Sequence, residues 1–255
     1  MVRRAVGERG AAGAAGGRGA TGARGATAAR GAAGVRGAAG VRGARRPELR
    51  LPALEPYDGG ELEPDGDYDG LEFRETDFAG QDAGGARFMD CALTGCALDE
   101  TRLHHARLLD SRLTGIRGVG TDLAESSLRD VELIDARLGG VQLHGAILER
   151  VWIRGGKIDY LNLRGARLKD VVFEGCVLVE PDFGGATLER VEFVDCALKG
   201  ADFSGATLTD VDLRGAAALE IARGVDRLAG AVISPAQLVD LAAVLAAELG
   251  IRVEG

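Results

Sequence analysis

The chain has 255 residues and a formal net charge of −8, enough for one large domain or two small ones. That total hides a split: residues 1–50 carry eleven Arg and two Glu, net +9, while the remainder nets −17. No apolar run reaches the 18 or so residues of a membrane span. The Arg-bearing N-terminus also lacks the leucine-rich core of a secretory signal, so a cytoplasmic protein is expected.

Residues 1–50 place Gly at every third position from Gly7 to Gly43, broken only at Ala28. Gly-X-Y spacing suits a collagen triple helix, but within this frame no Pro supplies the usual rigidity. A disordered basic tail is the expected state. The near-identical blocks at 31–36 and 37–42 leave open a mis-assigned start, with translation beginning nearer residue 50. Residues 51–70 hold Pro52, Pro56 and Pro64 among seven acids with no base, which reads as a solvated acidic linker.

From 71 to 213 one five-residue rhythm holds its frame. Taking the unit as x−2 to x+2 with x at 73, 78 and onward to 213, the x position is almost always Leu, Ile or Phe, and all seven Phe fall there. Ala83 and Gly118 are the exceptions. The x−2 position is small or modestly apolar, as at Ala86, Cys91, Ala106, Val141 and Cys176, with Pro181 as a departure. Side chains two apart share one side of a strand, so x−2 and x point inward and x+1 and x+2 turn a corner. Four such sides close a coil of twenty residues, giving about seven coils and a rod roughly 35 Å long. Gly and Asp dominate x+2, where a turn with φ > 0 suits Gly and where Asp can close local bonds. The stretch 151–160 is less regular, with Ile at two centres and Trp152 and Tyr160 outside them.

These residues carry a resemblance. The run 201–213, ADFSGATLTDVDL, resembles the A-(D/N)-L-x-x signature of the pentapeptide repeat family. The resemblance implies an all-β solenoid, a right-handed quadrilateral parallel β-helix over 71–218. Some members of that family mimic duplex DNA and occupy the DNA site of type II topoisomerases, which protects against quinolones. Others dimerise through a C-terminal helix.

Beyond Leu213 the frame lapses, and 219–255 read as a cap. Residues 219–233 suggest a partial coil or loop, followed by a helix over about 235–249. Ser234 as N-cap, Pro235 at the first turn and Gln237 completing a capping box mark its start. Leu238, Leu241, Leu245 and Leu249 form one apolar stripe, expected to close the open end of the solenoid or to pair with a second copy.

The chemistry-bearing residues form no constellation. His104 and His144 are expected two coils apart, too far to share a metal, and no phosphate loop, CxxC or nucleophile elbow is present. The four Cys all fall at x−2, which reads as core packing; Cys176 and Cys196, twenty apart, are expected to stack in adjacent coils, where a disulfide is geometrically conceivable. A filled interior predicts no pocket, and no enzyme, cofactor or metal is expected. Trp152 and Val172 at x−1, with Ile134 and Val194 at x+1, are the candidate contact patch for a protein partner.

Residues 71–213 hold 25 acids and 16 bases, well short of the roughly 20 net charges of a DNA duplex this long. Acids and bases also mix along each face. The expectation is a rigid interaction scaffold with an unknown protein partner and no direct nucleic-acid binding. A gyrase-directed DNA mimic is the alternative.

Overall fold

The computed structural model describes residues 40–254, and Gly40 to the C-terminus forms one compact unit. The expected disordered tail and its Gly-X-Y frame lie, for residues 1–39, outside the described residues.

The five-residue rhythm produces a four-sided coil. Every strand pairing is parallel, and through the body of the solenoid partners lie twenty residues apart: Leu128, Leu148, Leu168, Leu188 and Leu208 stack in one column. Strands such as Arg107–Thr114, Ile147–Arg154 and Arg167–Glu174 bend through one corner and serve two faces, which join in a twelve-stranded sheet. A third face is the six-stranded sheet from Arg117–Val119 to Ala216–Arg223. The fourth is held by isolated bridges linking Asp82, Arg102, Asp122, Gln142, Asn162, Asp182 and Asp202.

The corners explain the x+2 composition. Every fifth residue from Asp65 to Asp210 has positive φ, between 46° and 74°. Gly adopts this region freely and Asp tolerates it better than bulkier side chains do. The chain nonetheless places Glu, Arg and Tyr at some corners, as at Glu100, Arg150 and Tyr160. The segment 151–160 keeps the common register, with Lys157–Asp159 paired to both neighbours. Gly156 makes this possible: at φ 80° its would-be Cβ lies 2.1 Å from the Ala136 carbonyl oxygen.

The solenoid has about nine turns rather than seven. It extends at both ends beyond the segment in which the rhythm is plain. Upstream, the expected linker supplies Glu55–Pro56 and Asp67–Asp69, which pair with Leu71–Arg74 and Arg87–Met89. Its acids face water while Tyr57, Leu62 and Tyr68 turn inward onto Phe73, Phe78 and Phe88, with neighbouring rings 4.4–6.2 Å apart. Downstream, Ala216–Arg223 and Ala231–Val232 add a further coil whose register slips against Cys196–Asp202. The slip hides it from a strict five-residue count.

The core divides by side-chain type. Phe173 stacks on Phe193 at 4.9 Å and Phe183 on Phe203 at 5.0 Å, filling the C-terminal coils. Between these and the N-terminal aromatic cluster the centres are mainly Leu. There the interior is not completely filled: an apolar cavity of about 50 Å³ runs among Leu98, Ile116, Leu138 and Leu143. Branched chains meeting from four sides do not close the axis as stacked rings do. The four Cys are free and buried, and Cys176 donates its backbone N–H to Cys196 Sγ at 3.4 Å.

Among the described residues a single α-helix, α1 (Pro235–Glu248), closes the C-terminal end. Ser234 and Gln237 form the reciprocal capping box. Gln237 is itself buried, and its Nε2 donates to the Leu213 and Ala216 carbonyls at 2.8 and 2.9 Å, satisfying acceptors of the last coil. The buried stripe is Gln237, Leu241 and part of Leu245. Leu238 and Leu249, expected on the same stripe, are exposed, because the first lies one residue off it and the second follows the helix end. No helix among the described residues is long and apolar enough to cross a membrane.

Candidate interaction surface

The face centred on Phe73, Leu93, Leu113, Leu133, Ile153, Phe173 and Phe193 carries the candidate patch. Its x−1 row reads Glu132, Trp152, Val172, Glu192 in strict register. Trp152 and Val172 are therefore direct neighbours, about 4.8 Å apart along the stack. Ile134 and Val194 stand in the x+1 row but do not meet, because Arg154 and Glu174 intervene. The structure thus brings two of the four patch residues together and keeps the other two apart.

Along the corner beside this face runs a charged column: Asp90, Asp110, Asp130, Arg150, Asp170, Arg190 and Asp210. Arg150 grips Asp130 through two hydrogen bonds of 2.6 Å, and Arg190 grips Asp170 at 2.7 and 2.9 Å. These forked pairs are the strong geometry for Arg and carboxylate. The Arg190 hydrogen bonds hold the Asp170 carboxyl well below the usual range, against the effect of burial. Asp110 has the opposite shift, raised by burial and by Asp130 and Asp90 above and below it.

The patch is not bare. Residues 42–47, expected to belong to a disordered tail, cross this face as an extended strap perpendicular to the strands. Arg42 Nε meets Asp210 Oδ2 at 2.8 Å, and the Ala44 N–H donates to Glu192 Oε1 at 2.7 Å. Arg45 donates both its backbone N–H and its guanidinium to Asp170, each at 3.2 Å. Arg46 pairs with Glu174 at 2.8 Å and lies 4.7 Å over the Trp152 ring. Trp152 Nε1 in turn donates to Glu174 at 3.1 Å. Pro47 is buried, and the chain continues to Glu55, which pairs with Leu71. This path explains why Val172, outward-facing by its frame, has no exposed surface and why Trp152 is only partly exposed.

The strap is held modestly. The arginine side chains remain 71%, 68% and 44% exposed, and ion pairs of such exposure contribute about 0–1 kcal/mol each. Bonds from backbone N–H to buried carboxylate are worth more, about 1.5–3 kcal/mol. Against these stands the ordering of the strap, at about 1–2 kcal/mol per residue. The two sides nearly cancel, whereas the coils are locked by continuous ladders and a shared core.

Sequence reasoning missed Arg42, Arg45 and Arg46 as structural partners. Their signal was one of charge: three Arg within five residues, facing acids that come into line only once the chain is coiled.

The opposite face has a different character. Asp82, Asp122, Asp182 and Asp202 each accept the N–H two residues on, closing the local turn. Arg102, Arg164 and Arg223 pair with three of them at 3.8, 3.1 and 3.5 Å. Among the described residues, no group of three His, Cys, Asp or Glu is arranged to hold a metal ion.

The sequence matches two family models, the Pentapeptide repeat region over residues 86–163 and Pentapeptide repeats (8 copies) over 161–193 and 189–217. No curated protein matches the sequence. Similar solved structures include HetL, a pentapeptide repeat protein involved in heterocyst differentiation regulation from the cyanobacterium Nostoc sp. strain PCC 7120. It is 21% identical, with 68% of this chain and 92% of that chain covered and a TM-score of 0.29. A trypsin-treated variant of QnrB1, a plasmid-mediated fluoroquinolone resistance protein, is 20% identical over 80% of this chain and 100% of its own, at a TM-score of 0.30. Rfr23, a pentapeptide repeat protein from the cyanobacterium Cyanothece 51142, is 16% identical over 66% and 88%, at 0.16. At such identity no partner or activity carries over from these proteins to this chain.

Proposed function

This chain belongs to the pentapeptide repeat family, and on that premise we propose that it is a non-catalytic, rigid scaffold that presents its outer faces to a protein partner. The observation that carries the reading is the pairing of charge within each face. Asp130 and Asp170 are matched by Arg150 and Arg190 on one corner, and Asp82, Asp182 and Asp202 by Arg102, Arg164 and Arg223 on the opposite face. A surface that neutralises its own acids in alternation makes a poor copy of a phosphate backbone, which carries one uncompensated charge about every 1.7 Å. It suits a protein partner, which reads mixed charge and shape. A cytoplasmic setting fits the four unpaired, buried cysteines.

The test is a supercoiling assay with purified gyrase. The scaffold reading expects supercoiling to continue at low micromolar protein; its loss would transfer the function to the DNA-mimic reading. Measured turnover of any substrate would overturn the non-catalytic reading.

A second copy is the proposed partner for α1. Leu238 and Val239 are 51% and 74% exposed on a helix whose other side is already committed to capping, and Leu249, just past its end, is 75% exposed. Sedimentation should give a dimer that Val239→Asp converts to monomer; a monomeric wild-type chain would refute it.

A further inference from the structure

The strap over Trp152 and Val172 points to a binding site already occupied from within. We propose that this face is a docking groove for an extended, arginine-bearing segment of a partner protein, and that residues 42–47 hold it closed in cis until such a segment displaces them. The inference rests on the scaffold reading and deepens it by naming the surface and the chemistry of what it binds.

Three observations carry it. The first is complementarity: three strap arginines meet Asp210, Asp170 and Glu174, and the strap backbone bonds Glu192 and Asp170. The groove therefore recognises both guanidinium groups and the extended main chain, as a peptide site must. The second is the aromatic floor. Arg46 lies 4.7 Å from the Trp152 centroid, a cation–π geometry, and Arg154 approaches the same ring at 5.5 Å. Trp is an uncommon choice at an outward x−1 position, where other columns carry polar residues such as Gln142 and Asn162. A ring bearing a guanidinium on its face and a carboxylate on its N–H is a recognition element used in full. The third is the asymmetry of attachment. The Asp170 carboxylate is fixed independently of the strap by two Arg190 hydrogen bonds, while the strap side chains of Arg42 and Arg45 stay 71% and 68% exposed. The receptor is preorganised and its occupant is loosely held, which is the arrangement of a replaceable ligand.

Trp152 is the single tryptophan of the chain, so its emission reports the groove directly. The experiment uses the full chain, wild type and Arg42→Glu/Arg45→Glu/Arg46→Glu, with a synthetic peptide of residues 40–51 as probe. The reversed strap should leave the groove, shifting Trp152 emission to the red and raising its quenching by acrylamide. Added in trans, the wild-type peptide should restore the original emission. It should bind the variant at least about tenfold more tightly than the wild type, whose tethered strap competes at millimolar effective concentration. A peptide with its arginines replaced by glutamate should not bind.

Arg46→Gln alone provides the second variant: it removes the guanidinium over the ring without reversing charge, and should shift the emission while the melting of the coils stays unchanged. Unchanged Trp152 accessibility in both variants would overturn the proposal. So would equal peptide affinity for wild type and reversed strap, or equal binding of the arginine-free peptide. Gyrase inhibition or catalytic turnover would instead overturn the scaffold reading without altering these emission results, so the two failures are distinguishable.

Discussion

Leu168 is 1% exposed, stacked between Leu148 and Leu188, while its neighbour Arg167 faces water. The pair therefore offers a direct test of the coil frame, through Leu168→Asp and Arg167→Asp. Deleting the buried isobutyl group costs about 2–5 kcal/mol in lost transfer and residual cavity. The new carboxyl has no buried partner and must take up a proton, which near neutral pH adds about 4 kcal/mol if its pKa rises by some three units. The sum, about 6–9 kcal/mol, is comparable with the whole stability of a typical domain, about 5–15 kcal/mol. Because each coil touches only its neighbours, the damage is expected to split the rod, giving a broadened denaturant transition with a lower slope. Arg167→Asp, outward and without an ion pair among the described residues, is expected to stay within about 0.5 kcal/mol of wild type. Chemical denaturation followed by circular dichroism measures both. Similar losses in the two variants would refute the assignment of inward and outward positions.

Asp170→Asn should cost about 1.5–3 kcal/mol, since it takes the charge out of the Arg190 fork and leaves that guanidinium only Glu189, and it removes an anchor of the strap. Because the folded pKa of Asp170 lies below its unfolded value, its contribution is complete above about pH 4 and is lost as pH falls through the lower folded value. The melting midpoint of wild type should therefore decline on acidification below about pH 4, and that part of the decline should be missing in Asp170→Asn. Asp110 has the reverse sign: its raised folded pKa means that ionisation is a penalty, absent below the unfolded carboxyl value and complete once pH exceeds the folded one. Asp110→Asn keeps a side chain that tolerates positive φ and is expected to raise the midpoint at pH 7, with the gain shrinking toward pH 4. Gln237→Ala should lower stability by about 1–3 kcal/mol through the Ala216 carbonyl left without its donor, since the Leu213 carbonyl keeps the Ala216 N–H; this is read as earlier melting of α1 and the last coil.

The repeating geometry was readable because it is written locally. Side chains at x and x−2 such as Phe173 and Val171 both have no exposed surface, and the positive φ at each x+2 from Glu75 to Asp210 follows from a corner recurring in a fixed place. What escaped was written elsewhere. Residues 55–70 form a coil although their acids suggest a solvated linker, because three inward side chains, Tyr57, Leu62 and Tyr68, suffice when an aromatic end already waits for them. The segment 219–233 was legible only as a partial coil or loop, because the register of the last turn slips. The strap has no periodicity, and its hydrogen-bond partners are 125–168 residues away in sequence. Trp152 and Val172 were identified as outward-facing, which their frame requires, but only the coiled chain reveals that another segment of the same molecule covers them. The cavity was equally hidden, since an apolar count does not tell whether four leucines meet at the axis.

The whole solenoid depends on a coil of twenty residues with neighbouring turns in register. Gln142 and Asn162 are bridge partners in adjacent turns, their side chains joined by a 2.6 Å hydrogen bond, whereas Lys157, only fifteen residues from Gln142, lies on another face. Strand spacing of about 4.8 Å falls within the Cα separation that a disulfide spans. On oxidation and mass mapping, Gln142→Cys/Asn162→Cys should form an intramolecular disulfide and Gln142→Cys/Lys157→Cys should not. Failure of the first pair, or equal cross-linking of the second, would contradict the twenty-residue turn.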